Sequence, residues 1–216
     1  MEKMGKCPIC GSELSNKGYM IGYMIDGDKT TKKCEPCGEY KISLMAERTL
    51  QYSPEYEKDK YILSALSREA TENGREIVFT TENIQNYIDS APIPDGPLEA
   101  IDRIILYVYR KSETADSYIS LKPEDHPIAC AKNVDEFRFY IKKATEIGYL
   151  ERDTKDGSID YRLTLKGWER VDELRKKTPE SRQAFVAMRF SDEMKKVYKE
   201  AIEPAISDTG YKTINL

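Results

Sequence analysis

Two short cysteine motifs constrain the fold of this chain more than any other feature of its sequence. They read CPICG at residues 7–11 and CEPCG at residues 34–38, so each is a CxxC pair followed by glycine. Two-residue spacing lets both thiolates of a tight turn face one ion, and the glycine tolerates the positive φ at which the turn closes. The sequence therefore predicts one tetrahedral site whose ligands are Cys7, Cys10, Cys34 and Cys37.

Zinc is the metal expected at this site, because it prefers tetrahedral sulfur ligation, and iron is the main alternative. A closed four-cysteine site leaves no open position for water, so we expect Zn²⁺ to have a structural role. A redox pair or free thiols are the competing interpretations, but a redox pair needs only one CxxC motif. The fifth cysteine, Cys130, stands alone and is predicted to be a small buried residue.

The charge of the chain is uneven along its length. The net charge is −4 for the 216 residues, which argues against a general binder of polyanions. Residues 46–131 carry 9 Lys and Arg against 16 Asp and Glu, whereas residues 132–182 carry 13 against 11. The second of these segments is therefore the better candidate for a nucleic-acid surface.

The sequence indicates a cytoplasmic protein without a membrane partner. No apolar run approaches the roughly 18 residues that span a bilayer, and the first ten residues have no hydrophobic core of a signal peptide. Cysteines in the cytoplasm are expected to be reduced, which favours metal ligation over disulfides. Since His126 is the single histidine, we do not expect histidine-based catalysis.

We predict an α+β multidomain protein made of four segments. The Pro-rich run SAPIPDGP at residues 90–97 cannot continue a helix and marks the central boundary. The segments are a Cys₄ zinc ribbon at 1–42, a mainly helical segment at 43–90, a winged-helix domain at 97–178 and an incomplete βαβ-type α/β unit at 183–216.

The third segment has the element order of a winged helix. A helix begins after the good N-cap Asn133 and ends at Gly148, and two alternating strands and a last helix follow. The stretch ATEIGYLERDTKDGSIDYRLTLKGWERVDEL resembles the recognition helix, wing and final helix of winged-helix domains. If the segment binds DNA, the phosphate contacts would come from Arg138, Lys142, Lys143 and Lys155.

A contact surface for protein is the alternative interpretation of the same helix. Glu136 and Glu146 lie on it and would repel phosphate, and the local charge balance is only slightly positive. The sequence leaves both interpretations open.

The C-terminal segment reads as strand, helix and strand. AFVAM at 184–188 is continuously apolar, as a strand buried on both faces requires, and the helix that follows has a regular apolar stripe. Pro204 falls inside this stripe and should kink the last turn or end the regular helix early. Ligands of such sheets lie at the carboxyl ends of the strands, so Arg189 and Ser191 are candidate contacts for a nucleotide phosphate. An ordinary surface arginine is the competing interpretation of Arg189.

The run AFVAMRFSDEMKKVYKEAIEPAISDTGYKTINL resembles the first strand and helix of TIR-like domains related to nucleoside 2-deoxyribosyltransferases. This resemblance implies cleavage or transfer at N-glycosidic bonds of nucleosides, nucleotides or NAD, through a carboxylate downstream of this run. No catalytic residue can be carried over to the chain, and Asp192 and Glu193 are better explained by helix capping. We therefore expect the chain to be inactive alone and to bind nucleotide only with a complete domain.

Two functions follow from these patterns. The first is a zinc-binding regulatory or sensing module of a TIR-like protein, for which the resemblance implies a defence setting, present here without its catalytic half. The second is a zinc-ribbon, winged-helix regulator that binds DNA. In either case we expect self-association through the C-terminal unit, because an unpaired strand edge invites pairing.

Overall fold

The computed structural model describes residues 5–14, 29–155, 158–177, 183–185, 192–208 and 212–214. Within these ranges the chain is an α+β protein with two three-stranded sheets and one two-stranded sheet. It divides into two compact units, Met1–Val171 and Asp172–Leu216. The four-segment layout predicted from the sequence is finer than this division and stays a prediction.

The first part of the larger unit packs three helices around a small sheet. The strands are β1 (Lys29–Cys34), β2 (Gly38–Ser43) and β3 (Val78–Phe79), and the helices are α1 (Leu44–Tyr52), α2 (Lys60–Glu72) and α3 (Ile84–Ser90). β1 and β2 are antiparallel, and β3 pairs with β2 in parallel. The Ser43 side chain caps α1 by accepting a hydrogen bond from the Ala46 N–H. A buried cluster around Ile42, Leu63 and Phe79 holds these elements together.

The second part of the same unit has its own core. Its elements are α4 (Pro97–Lys111), β4 (Ile119–Ser120), a 3₁₀ helix (Pro123–Ala129), α5 (Val134–Ile147), β5 (Leu150–Lys155), β6 (Ser158–Leu163) and the first part of α6 (Leu165–Lys177), which continues past Val171 into the smaller unit. The sheet is antiparallel with the order β4-β6-β5. Asn133 caps α5 through the Glu136 N–H, and Gly148 ends it at φ 87°, which confirms both predicted helix signals. Ile104, Phe137 and Val171 belong to the buried cluster.

The smaller unit contains a parallel strand pair and an interrupted helix. β7 (Gln183–Phe185) pairs in parallel with β8 (Lys212–Ile214), and between them lie α7 (Asp192–Val197), a π-helical segment (Tyr198–Ile202) and α8 (Glu203–Asp208). The π-helical segment ends just before α8, whose second residue is Pro204, so regular α-helix is interrupted before the proline and resumes through it. The predicted apolar stripe is only partly covered, because Tyr198 is buried but Val197 is 46% exposed.

Arg68 of α2 connects the two buried clusters of the larger unit. Its Nη2 lies 2.7 Å from Asp125 Oδ1 in the 3₁₀ helix, and its Nε donates to Glu72 Oε1 at 3.0 Å. Lys111 of α4 lies 2.6 Å from the other Glu72 oxygen. We call Arg68, Glu72, Lys111 and Asp125 the Arg68 junction. The Arg68 and Asp125 side chains are 12% and 10% exposed, so this ion pair is largely shielded from water.

The single histidine lies beside this junction and predicts a pH dependence. His126 Nδ1 is 3.2 Å from the Ala131 carbonyl oxygen, and burial lowers the pKa of His126 below its ordinary value of 6.5. The unfolded chain therefore takes up a proton at a higher pH than the folded chain does. Above pH 6.5 we expect His126 to leave the free energy of unfolding unchanged. As the pH decreases below 6.5, we expect the free energy of unfolding to fall, because the unfolded chain binds the proton first.

Urea unfolding of the wild type and of His126→Gln, between about pH 7.5 and 5.5, measures this effect. The difference between the two proteins isolates the histidine from any metal loss, which both share. The expectation fails if the two stabilities change in parallel over the whole range.

Candidate metal centre and the basic face of α5

The four cysteines of the CxxC motifs meet in the folded chain. Their Sγ atoms all lie within 4.8 Å of one another, and three of the four side chains are buried. The Cys10 and Cys34 sulfurs are 3.2 Å apart and the Cys7 and Cys37 sulfurs 3.9 Å apart. Both distances are far longer than the roughly 2.05 Å of a disulfide, and all four residues are free thiols. The predicted ligand set is thus brought together and could hold a metal ion.

The spacing of the sulfurs agrees with tetrahedral ligation. Zn–S bonds of about 2.3 Å place the thiolates of a tetrahedron about 3.8 Å apart. The Cys7–Cys37 separation of 3.9 Å matches this edge length. The Cys10–Cys34 separation of 3.2 Å is shorter and would lengthen on metal binding. The donor set therefore suits a metal that prefers four sulfur ligands.

Each CxxC pair is closed by a glycine whose backbone conformation other residues rarely adopt. The Gly11 N–H donates to the Cys7 carbonyl at 2.9 Å, and Gly11 has φ 75°. Gly38, with φ 76°, follows the second pair where β1 and β2 meet. A Cβ atom at Gly38 would collide with the Thr71 side chain. Glycine is therefore required at position 38 for both its conformation and its contact with α2.

Two hydroxyl groups contact the sulfurs from the surrounding core. Tyr40 Oη lies 3.0 Å from Cys7 Sγ, and Ser64 Oγ lies 3.2 Å from Cys37 Sγ. Burial, followed by the charge of Cys7, raises the pKa of Tyr40 above its usual range, so the phenol keeps its proton. Both hydroxyls can therefore donate hydrogen bonds to thiolates, as the outer contacts of a metal site do.

One face of α2 holds the second CxxC turn in place. Arg68 Nη1 donates to the Glu35 and Pro36 carbonyls at 2.9 and 3.3 Å, within the turn itself. Thr71 Oγ1 accepts from the Glu39 N–H at 2.8 Å, just after the turn. Sequence reasoning missed these residues. The signal that could have found them is the polar spacing of Ser64, Arg68 and Thr71, which puts all three on one helix face.

The thiols of the cluster do not titrate alike. Hydrogen bonding with Cys34, then with Cys37 and Cys7, lowers the pKa of Cys10 well below its usual range. Hydrogen bonding with Cys10 is the largest of the causes that raise the pKa of Cys37. Cys10 is thus the thiol of the cluster that loses its proton most readily, and four-thiolate binding of a cation releases the protons that the other thiols hold.

Cys130 lies outside this set. It is buried at 8% exposure, as predicted, and burial raises its pKa to about 11. A thiol with such a pKa is almost entirely protonated at neutral pH and is therefore a poor nucleophile.

Three of the four basic side chains predicted to contact DNA lie on α5, and each has an acidic neighbour on the same helix. Arg138 pairs with Asp135 at 3.1 Å. Lys143 pairs with Glu146 at 2.6 Å, and Lys142 approaches the same carboxylate at 3.8 Å. Surface pairs of this kind stabilise a helix by about 0–1 kcal/mol, so partners can exchange. The carboxylates nevertheless keep the face close to neutral.

Three predicted site residues are outside this description. Arg189 and Ser191 fall outside the described residues, as does the side chain of Lys155.

Among the helices that the structure describes, none combines the length and the apolar character that a membrane span requires. No protein-family model, curated protein or solved structure matches the chain. The functional assignment therefore depends on the site geometry and on the sequence resemblance.

Proposed function

We propose that the chain is a zinc-binding regulatory or sensing module, in which residues 1–171 form a platform that controls a TIR-like α/β unit. The observation that carries the proposal is that the four-cysteine cluster is built into the core. Tyr40 and Ser64 contact its sulfurs, and Arg68 joins its second turn to the 3₁₀ helix through Asp125. Such a site stabilises the scaffold on which a sensing module is built.

Structural zinc fits the four sulfur donors. When bound, Zn²⁺ would supply a tetrahedral cross-link between the two CxxC turns. Cys7, Cys10, Cys34 and Cys37 would hold it as thiolates, and the Tyr40 and Ser64 hydroxyls would donate to two of them. Metal analysis of the purified chain distinguishes zinc from iron. Visible absorption is a second test, because an iron–sulfur site absorbs visible light and a zinc site does not.

A winged helix is the fold that best accounts for residues 97–177 within this proposal. The order α4, β4, 3₁₀ helix, α5, β5, β6 and α6, with β6 in the centre of an antiparallel sheet, supports it. In such a domain α5 would be the recognition helix and the β5–β6 hairpin the wing. Because the cations of α5 are paired with its own acids, we favour a control role over DNA binding.

The α/β part of the proposal is carried by the sequence resemblance of residues 184–216. The parallel pairing of β7 with β8 across an intervening helix supports it. The proposed substrates are nucleosides, nucleotides or NAD, with a catalytic carboxylate that is not assigned to any residue of this chain. Cleavage of NAD or of a deoxynucleoside by the 216-residue chain would contradict the proposed control role.

Titration with a random DNA duplex tests the proposal against its alternative, a DNA-binding regulator. At about 50 mM salt we expect no saturable binding, because the acidic residues of α5 offset its cations and leave few phosphate contacts. Fluorescence anisotropy of a labelled duplex measures this. Binding that weakens steeply with salt, and that is lost in Lys142→Ala/Lys143→Ala, would favour the DNA-binding regulator instead.

Glu146→Gln serves as the matched control for this titration. It keeps the size of the side chain but removes the carboxylate that neutralises Lys143 and Lys142. If α5 can contact phosphate once Glu146 is neutral, this variant binds the duplex more tightly than the wild type does. Absence of binding by the wild type would then be due to the Glu146 carboxylate and not to an inactive preparation.

A further inference from the structure

A cleft of about 610 Å³ lies between α5 and the β5–β6 hairpin. The segment 121–123 closes its third side. Its volume falls within the range of about 300–1,000 Å³ that is typical of small-molecule sites. Its lining is mainly apolar, with Leu121, Ile141, Ile159 and Tyr161 among the residues that form it. The cleft is therefore large enough and apolar enough to enclose the body of a small ligand.

The strand register explains why the hairpin contributes to this lining. Arg152 of β5 is directly opposite Tyr161 of β6, and Ile159 lies two residues along on the same face of the sheet. Arg162, on the opposite face, pairs with Glu151 at 2.8 Å. The hairpin thus presents an arginine, an aromatic ring and an aliphatic side chain to the cleft.

Four cationic residues line the cleft against the single acid Glu146. Two of these cations already face acids outside the lining, because Arg138 pairs with Asp135 at 3.1 Å and Lys122 approaches Glu35 at 3.8 Å. Glu146 is already held at 2.6 Å by Lys143, which is not part of the lining. Among the described residues, no ion pair joins Arg152 to a carboxylate. An anionic group in the cleft would therefore meet Arg152, with Lys142 and Arg138 beside it.

We infer that this cleft binds a small amphiphilic organic anion. Its apolar body packs on Ile141, Ile159 and Tyr161, and its anionic group accepts hydrogen bonds from Arg152. A small molecule is favoured over an extended polymer because the lining comes from three sides and encloses a limited volume. The inference rests on the proposed function, because it names the chemical class of the signal that the module senses. Its test is independent of the metal site, since the cleft can fail to bind a ligand while the four cysteines still bind zinc.

Calorimetric titration of the metal-loaded full chain with 2-naphthoate tests the inference. We expect saturable binding with a Kd at or below about 1 mM. The neutral isostere 2-naphthamide is expected to bind at least about tenfold more weakly, because it lacks the charge that Arg152 recognises. Arg152→Gln should weaken naphthoate binding by about tenfold or more. Ile159→Asp, which adds a carboxylate to the cleft, should abolish it.

Arg162→Gln is the matched control, since it removes the same side chain from the opposite face of the same hairpin. We expect its Kd for naphthoate to stay within about twofold of the wild type. The inference is overturned if naphthoate does not bind, if naphthamide binds equally well, or if Arg162→Gln weakens binding as much as Arg152→Gln does. Zinc content and circular dichroism of every variant separate loss of the cleft from loss of the metal platform.

Discussion

Cys37→Ser is expected to abolish metal binding and to unfold the N-terminal part of the chain. Cys37 is fully buried and contacts both the Cys7 sulfur and the Ser64 hydroxyl, so no other donor can replace it without repacking. Structural Zn²⁺ contributes about 10–16 kcal/mol of apparent binding free energy in small zinc-binding peptides. This is comparable with the roughly 5–15 kcal/mol by which a whole domain is stable.

Zinc released from the purified protein, measured with a metallochromic dye, should fall from one equivalent in the wild type to none in Cys37→Ser. Thermal unfolding followed by circular dichroism should lose its cooperative transition or shift it strongly downward. A chelator added to the wild type should reproduce the second effect, because removal of the metal and removal of a ligand have the same consequence.

Cys130→Ala is the matched control for this experiment. It also removes a buried thiol, but one that lies outside the cluster. We expect one equivalent of zinc to remain and the melting temperature to fall by only a few degrees, as for a small buried truncation. If Cys37→Ser retains a full equivalent of zinc and melts with Cys130→Ala, the four-cysteine site is not what holds the metal or the fold.

Features with local causes could be predicted from the sequence. Ser43 and Asn133 cap their helices with hydroxyl and amide oxygens, and Gly148 accepts the left-handed conformation that ends α5, because each effect acts within one helical turn. The CxxC motifs belong to the same class, since two-residue spacing determines which way both thiols face. That the two pairs meet in space could also be predicted, because one tetrahedral ion needs four ligands and each pair supplies only two.

Features that depend on distant partners could not be predicted. Arg68 reaches the Glu35 carbonyl across 33 residues and Asp125 across 57, and no periodicity of α2 indicates which groups it meets. The cleft likewise depends on the space left between α5 and the hairpin. The alternation and pairing of the two strands indicate only that Arg152, Tyr161 and Ile159 lie on the same face of the hairpin.

The Arg68 junction carries the second large prediction, which concerns stability and metal retention together. Arg68→Met removes the guanidinium that contacts Asp125, Glu72 and the carbonyls of the second CxxC turn. Loss of one partner from a shielded ion pair leaves an uncompensated charge and costs about 3–5 kcal/mol. We expect the free energy of unfolding, measured by urea denaturation, to fall by this amount.

Metal retention should weaken in the same variant. Arg68 donates to two carbonyls within the turn that carries Cys34 and Cys37, so its removal loosens a ligand pair without touching a sulfur. Loss of comparable outer contacts typically lowers metal affinity by about 10–100-fold. Competition with a chelator of known affinity measures this change. Arg75→Met is the matched control, because Arg75 is exposed and lies 3.5 Å from Glu69 in a surface pair, so neither quantity should change appreciably.

A double-mutant cycle identifies the cause of the expected loss. If the unpaired Asp125 carboxylate accounts for most of it, Arg68→Met/Asp125→Asn should be more stable than Arg68→Met alone, because the charge left behind by the first change is removed. Asp125 also accepts from the Lys122 N–H at 2.8 Å, which an asparagine oxygen can still do. Equal stability of the single and double variants would instead assign the loss to the carbonyls of the second CxxC turn, which both variants leave without the Arg68 donor. In that case the reduction in metal affinity should persist unchanged in the double variant.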